Sequence, residues 1–413
     1  MRKVLFISAA GLLATVCAKA QVIATFSIKQ HQQYVAEPVC IDLDPLTKDA
    51  DSTLQLVEVS KGKRTPVPFQ IEKRYHRFLW WMMQPTNKEG VFELQKRRAD
   101  MPDGSGQDKI GIKDENGTLL VTDAGKKVLQ YNYATMYPPQ GVDTVFKRSG
   151  FIHPLWSPDG NVMTRINAPD HYHHFGLWNP WTEVSFRGKI VDFWNLVKKE
   201  GTVRFAKFIS KDEGAVFGGF KALQEHVVLN DPAGEKVAMN EEWDVRVYNI
   251  GDKKWLWDFT SVLNCATTDT VFLKEYRYGG FGYRATEQWN DDNSKVLTSE
   301  NKTRKDADAS TARWCMLDGA INNGHSGILF MSFPANYNYP EPMRVWPEKM
   351  NGRGDVFFSF SPTRNKDWTL TPGKDHVLKY RMLVYEGTIT AEEAEKNWQA
   401  FANGPEIKIV KKN

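Results

Sequence analysis

The sequence predicts an all-β protein in which a small β-domain precedes large antiparallel sheets packed face to face, with one helix near the end. Three observations carry that expectation. Strand-like runs recur from Thr118 onward with hardly a pause, among them TVRFAKFIS, AVFGGFKALQEHVVLN, EEWDVRVYNI, KWLWDFTSVLNCA and VLKYRMLVYEG. Several are longer than the strands of a small sandwich, and sheets of such strands bury their apolar faces by packing on one another. Only one segment carries the punctuation of a helix: Thr390 with Glu393 makes a capping box, Ala394, Trp398 and Phe401 share a face, and Gly404-Pro405 ends it.

Taken in order, the chain opens on MRKVLFISAAGLLATVCAKA. Arg2 and Lys3 precede an apolar run from Val4 to Val16 and a small-x-small ending, Ala18-Lys19-Ala20. That is the pattern of a secretory signal cut after Ala20, which places the mature protein in the periplasm or outside the cell. Val16 stands where a lipid-anchoring signal wants a small residue before Cys17, so a soluble exported protein is expected. Nothing later approaches the ~20 apolar residues of a membrane span. The formal charge of +4 falls to +2 once Arg2 and Lys3 leave, which implies neither nucleic acid nor an anionic surface as a partner. Cys40, Cys265 and Cys315 are then left, widely spaced and without a CxxC, and read as buried thiols.

At 413 residues the chain has room for two structural domains. From Gln21 to Ile112, short runs such as VIATFSI, VCIDL, LQLVEV and RFLWWMM read as a small antiparallel β-domain. The polar piece from Gln95 to Gly117 reads as a long loop or boundary, with Lys96, Arg97 and Arg98 on a solvated face. The large domain occupies 113–390, and the helix and tail occupy 391–413.

The chemistry concentrates between Arg148 and Trp181, a stretch that holds four of the nine histidines. Imidazole changes protonation near neutral pH or binds metal as a neutral ligand. If Asp170 to Phe175 is extended, His171 and His173 point to one face while Tyr172 and His174 point to the other, so only two of these three histidines serve one site. His153, held extended by Pro154, joins either face. Trp178, Asn179 and Trp181 follow at once, and exposed aromatic platforms beside polar groups suit a sugar ring.

Three readings compete. Acid/base chemistry would use one histidine to protonate an oxygen and a second base to remove a proton, with Asp170 or Arg165 tuning the pair. A divalent metal, which the sequence allows without requiring, would take His171 and His173 as ligands on one strand. The structural reading satisfies the histidines with backbone carbonyls and places the tryptophans in the core. A cupin-like metal motif fails on spacing, because Leu177 and Trp178 stand where its glutamate would be. Farther on, Glu242, Asp244 and Arg246 share a strand face, and KEYRYGGFGYRATEQW gathers Glu275, Arg277, Tyr283 and Arg284 around Gly279-Gly280, where an arginine anchors a carboxylate or a polar sugar group.

The blocks YNYATMYPP, RSGFIHPLWSPDGNVMTR, DHYHHFGLW, GGFGYR, FMSFPANYNYP and PGKDHVLKYRMLVYEG together resemble the PmoA-like family of uncharacterised secreted bacterial proteins, over roughly Lys113 to Thr390. At the level of fold, such families resemble the galactose-mutarotase-like β-supersandwich shared by sugar epimerases, polysaccharide lyases and glycoside hydrolase modules. The resemblance implies a carbohydrate-active enzyme, a lyase, dehydratase, epimerase or hydrolase, with a saccharide substrate. His153, His171, His173 and His174 are then the acid/base candidates, and Glu242 the second base. Arg165, Asp170, Trp178, Asn179, Trp181 and Arg284 are the substrate-binding candidates. The alternatives are a carbohydrate-binding protein of a glycan-uptake system and a metal-dependent enzyme.

Overall fold

The structure, a computed structural model, describes residues 20–32, 35–86, 89–97, 109–251 and 253–412. The expected signal up to Lys19, with Cys17, lies outside them, as does Arg98.

Two eight-stranded sheets form the body, in which every strand pairing is antiparallel. The first is built on four long strands joined as hairpins, Gly201–Asp212, Phe217–Val228, Lys236–Tyr248 and Lys254–Cys265, and continues through His376–Glu386, Gly324–Ser332, Trp314–Ile321 and Ser294–Thr298. The second runs Met343–Val345, Phe357–Phe360, Gly282–Arg284, Leu177–Trp178, Phe151–Leu155, Lys126–Asn132, Thr118–Asp123 and Ile110–Glu115. Alternation explains how they meet. In EEWDVRV the residues Trp243, Val245 and Val247 face inward and are buried. Phe259 of the first sheet stacks on Phe281, just ahead of Gly282–Arg284, and Tyr380 on Phe360 of the second sheet, at centroid separations of 4.3 and 5.3 Å. Each such ring, fully buried, contributes on the order of 2 kcal/mol. This is the expected all-β supersandwich.

Ahead of it stands a smaller sandwich. A five-stranded sheet includes Val22–Lys29, Gly90–Lys96 and Leu54–Ser60, and a three-stranded sheet consists of Glu37–Asp42, Arg77–Met83 and Phe69–Lys73. Phe26 and Trp81 stack between them at 5.6 Å. The helix Ala391–Asn403 carries the full capping box at Thr390 and Glu393 and buries Ala394 and Phe401. The tail beyond it is itself a strand. Its alternating EIKIVK forms Glu406–Lys411, which pairs with Val22–Lys29 and returns the chain to the small sandwich. Cys40, Cys265 and Cys315 are free thiols. Among the described residues no helix is long and apolar enough to cross a membrane.

Candidate functional site

The histidine run lies on the strand His171–Phe175, which folds back on Ile166–Ala168 as a two-stranded ribbon beside the second large sheet. Its pairing is irregular. Ala168 faces His171 and Ile166 faces Phe175, so a step of two residues on one strand matches a step of four on the other. Bulges of this kind turn a strand and re-aim its side chains. Gly176 then bends the chain from the ribbon into the sheet at φ +64°, where a Cβ would sit 2.5 Å from the Ile152 carbonyl oxygen.

The consequence corrects the expectation from strict alternation. One ligand nitrogen from each of His171, His173 and His174 lies within 4.8 Å of the other two, so three histidines share one site. The His171 and His174 rings stack at 4.6 Å, and the His173 ring meets His174 edge-on at 4.8 Å.

Asp170 orients the set. Its Oδ2 lies 2.7 Å from His171 Nδ1 and 2.8 Å from Arg284 Nη2 and accepts from Asn351 Nδ2 at 2.8 Å, while Oδ1 accepts from Arg284 Nη2 at 3.0 Å. Arg284 also donates to Asp355 Oδ2 at 3.0 Å and lies over Trp346 at 4.5 Å, so a buried guanidinium shared by two carboxylates braces the site from behind. Burial pushes the Asp170 carboxyl up, but the His171 hydrogen bond and the Arg284 charge outweigh it and hold the group below the usual carboxylate range. With Nδ1 engaged by Asp170, His171 keeps Nε2 for other partners.

His174 is 1% exposed, packed among Trp178, Trp194, Trp346 and Phe357, and its Nδ1 finds no hydrogen-bond partner among the described residues. Burial drives its ring well below the ordinary histidine range, and burial with the neighbouring His171 lowers His173 to about 4. Both are therefore neutral at physiological pH, the form that binds metal. A cleft of about 370 Å³ opens over the three rings. Tyr276, Arg277, Tyr278 and Arg344 form one wall, and Trp194, Asn195 and Met350 complete it.

A profile of one family of unknown function, DUF6807, matches residues 118–399. The chain belongs to that family. No curated protein matches the sequence. Among solved structures, an alpha-mannosidase from Enterococcus faecalis is similar at a TM-score of 0.42 and 8% identity, over 95% of this chain and 47% of that one. A GH36 alpha-galactosidase from Geobacillus stearothermophilus is similar at a TM-score of 0.31 and 10% identity, over 68% of this chain and 39% of that one. The chain thus spans less than half the length of either glycosidase.

In this DUF6807 member the other expected site residues disperse. His153 is engaged through Nδ1 with Thr164 Oγ1 at 2.9 Å and stays outside the histidine cluster; burial lowers it to about 4. Trp178 and Trp181 are 0% and 1% exposed, so neither offers a platform to a sugar; Trp178 backs His174, and Trp181 belongs to the sandwich core. Asn179 is also buried and donates to Glu241 Oε1 at 2.5 Å. Arg165 joins the brace, 3.4 Å from Glu287 and 4.0 Å from Asp355.

Glu242 is not brought to the histidines. It pairs with Lys221 at 3.3 Å on the strand face whose Arg246 and Asp244 meet Glu72 and Arg74 of the small sandwich, so that face is an interface between the two sandwiches. Its neighbour Glu241 points into the core, where it also contacts His226 at 2.9 Å. The residues missed were Trp194, Asn195, Tyr276, Tyr278, Arg344, Met350 and the braces Asn351 and Asp355. Arg277 had a signal in the sequence, through its place beside Gly279-Gly280, and Tyr276 and Tyr278 flank it in the same segment. A second convergent group, Asp42, Asp44 and His76, lies on the small sandwich, but Arg77 already holds Asp44 at 2.8 Å.

Proposed function

We propose that this chain is an exported, metal-dependent enzyme acting on a saccharide, with its reaction centre at His171, His173 and His174. The observation that carries it is the convergence of three imidazoles, two of them held neutral by burial, beneath an open cleft. Ligand nitrogens on one zinc-like ion lie at about 2.0–2.1 Å from it and hence at most ~4.2 Å apart, so small ring rotations complete the set. Asp170 on His171 Nδ1 is the outer carboxylate that fixes a ligating imidazole's tautomer and orientation. A divalent ion there supplies Lewis acidity toward a substrate oxygen or a more acidic bound water. The cleft volume falls within the range of small-molecule sites, and its tyrosines, Asn195 and arginines offer the rings and hydrogen bonds that a sugar uses.

A second reading is favoured by the Asp170–His171 contact itself: the same pair, without metal, forms an acid/base couple with Nε2 as the proton-transferring atom. One experiment separates the readings. Protein purified without chelator is analysed for metals and then incubated with a panel of oligosaccharides whose products are weighed by mass spectrometry. One divalent ion per chain, lost in His173→Ala together with turnover, supports the metal-dependent enzyme. Turnover without metal supports the acid/base couple. Binding of saccharide with no product on long incubation leaves a carbohydrate-binding protein.

A further inference from the structure

The charge of the cleft selects its ligand. Three histidines, Arg277 and Arg344 line it, and none of its lining residues is a carboxylate. Arg277 is exposed, and no carboxylate among the described residues pairs with it; its guanidinium leans on the Tyr278 ring at 5.6 Å. Arg344 lies against the same ring at 5.0 Å, is 8% exposed, and leaves Nε buried without a partner. Its one ion-pair partner among the described residues, Asp308, lies 2.8 Å away and is shared with Arg364 at 3.1 Å, so two cations divide one anion.

The acids close to the histidines do not offset this charge. Asp170 is spent on His171, Arg284 and Asn351. Asp192, 1% exposed, accepts from the Trp194 and Asn195 backbone N–H groups, from Asn195 Nδ2 and from Lys198. A cleft with two guanidinium groups and no acid in its lining rewards a ligand that brings its own negative charge, most of all a planar or tetrahedral oxyanion that guanidinium can fork.

We infer that the substrate of this centre is anionic, carrying a carboxylate or a sulfate that Arg277 and Arg344 hold at the tyrosine wall while the rest of the molecule lies over the histidines. The inference rests on the proposed function for where the reaction occurs, but not for the binding of the anion. For a saccharide substrate it means an acidic sugar, a uronate or a sulfated unit, in preference to a neutral one.

The test is calorimetric titration of the full chain with three probes: inorganic sulfate, glucuronate and glucose, the last two differing in the carboxylate. Glucuronate is expected to bind about tenfold or more tightly than glucose, the worth of one charge-assisted hydrogen bond. Arg277→Ala is expected to remove most of that preference and to weaken sulfate in parallel, with Arg277→Lys restoring part of it. Raised salt is expected to narrow the gap. Equal affinity for glucuronate and glucose, absence of sulfate and glucuronate binding at millimolar concentration, or a preference intact in Arg277→Ala overturns the inference. Repeating the titration after metal removal keeps the two ideas apart. A preference that depends on metal and ignores Arg277 puts the carboxylate on the ion and refutes the arginine subsite. One that depends on Arg277 in a metal-free protein stands even if the metal-dependent reading fails.

Discussion

Asp170 Oδ2 lies 2.7 Å from His171 Nδ1, and the same carboxylate is held by Arg284, so one acid ties the His171 imidazole to a buried cation. Asp170→Asn keeps the shape and removes the charge. Outer carboxylates of this kind are worth about 10–100-fold in metal affinity or activity. On the proposed metal-dependent reading, the variant is expected to release a bound divalent ion to a competing chelator at correspondingly lower chelator concentration, with circular dichroism unchanged. Equal retention of metal by variant and parent would show that the contact only braces Arg284.

Gly176 carries the turn that sets the histidine ribbon against the sheet. An alanine there must adopt φ +64° and place its Cβ 2.5 Å from the Ile152 carbonyl oxygen and 3.1 Å from His153 Cβ. Strain of that kind costs on the order of 1–3 kcal/mol before the clash is relieved. Gly176→Ala is expected to lower the urea midpoint and to impair metal binding together, because the same bend aims the rings. A variant as stable as the parent would mean that the ribbon has another conformation within easy reach.

Asn179 separates a buried structural role from a binding role. Its amide donates to Glu241 Oε1 and lies 3.2 Å from Ser261 Oγ, inside the sandwich. Asn179→Ala leaves a buried carboxylate short of one donor, a loss of about 1–3 kcal/mol in stability. Saccharide or sulfate affinity, measured on the folded variant, is expected to stay as it was. A selective loss of affinity at unchanged stability would return Asn179 to the substrate.

These residues also mark how far the chain could be read before its structure. Long alternating runs and a lone capping box report on nearest neighbours, and they were sufficient for the sheets and for the helix. The place of the histidine cluster was legible for the same reason, since His171, His173 and His174 crowd four residues. Their orientation was not. Strict alternation assigned His174 to the far face, and only the uneven pairing of Ile166–Ala168 with His171–Phe175 brings it back. A tryptophan beside a histidine likewise reads the same whether it is a platform or a core ring. Trp178 and Trp181 were decided by what covers them, and the wall of Tyr278 and Arg344 is assembled from segments far apart in the chain.

Glu341 supplies a pH dependence remote from the histidines. It is fully buried, and burial raises its carboxyl to about 7 despite hydrogen bonds from Asn336, Ser332 and Tyr380. The unfolded chain holds the same group near the ordinary glutamate value of 4.5. Between those two values the folded state binds the proton and the unfolded state does not. The contribution of this group is therefore complete below about pH 4.5 and is lost as pH rises through about 7, a change on the order of 3 kcal/mol at 1.36 kcal/mol per pH unit. Glu341→Gln cannot ionise and lacks that loss. Urea unfolding at pH 5 and pH 8 is expected to show the parent losing more stability than the variant across the interval, whatever the variant's offset at pH 5. Parallel behaviour of the two proteins would mean that the three donors keep Glu341 ionised in the folded state.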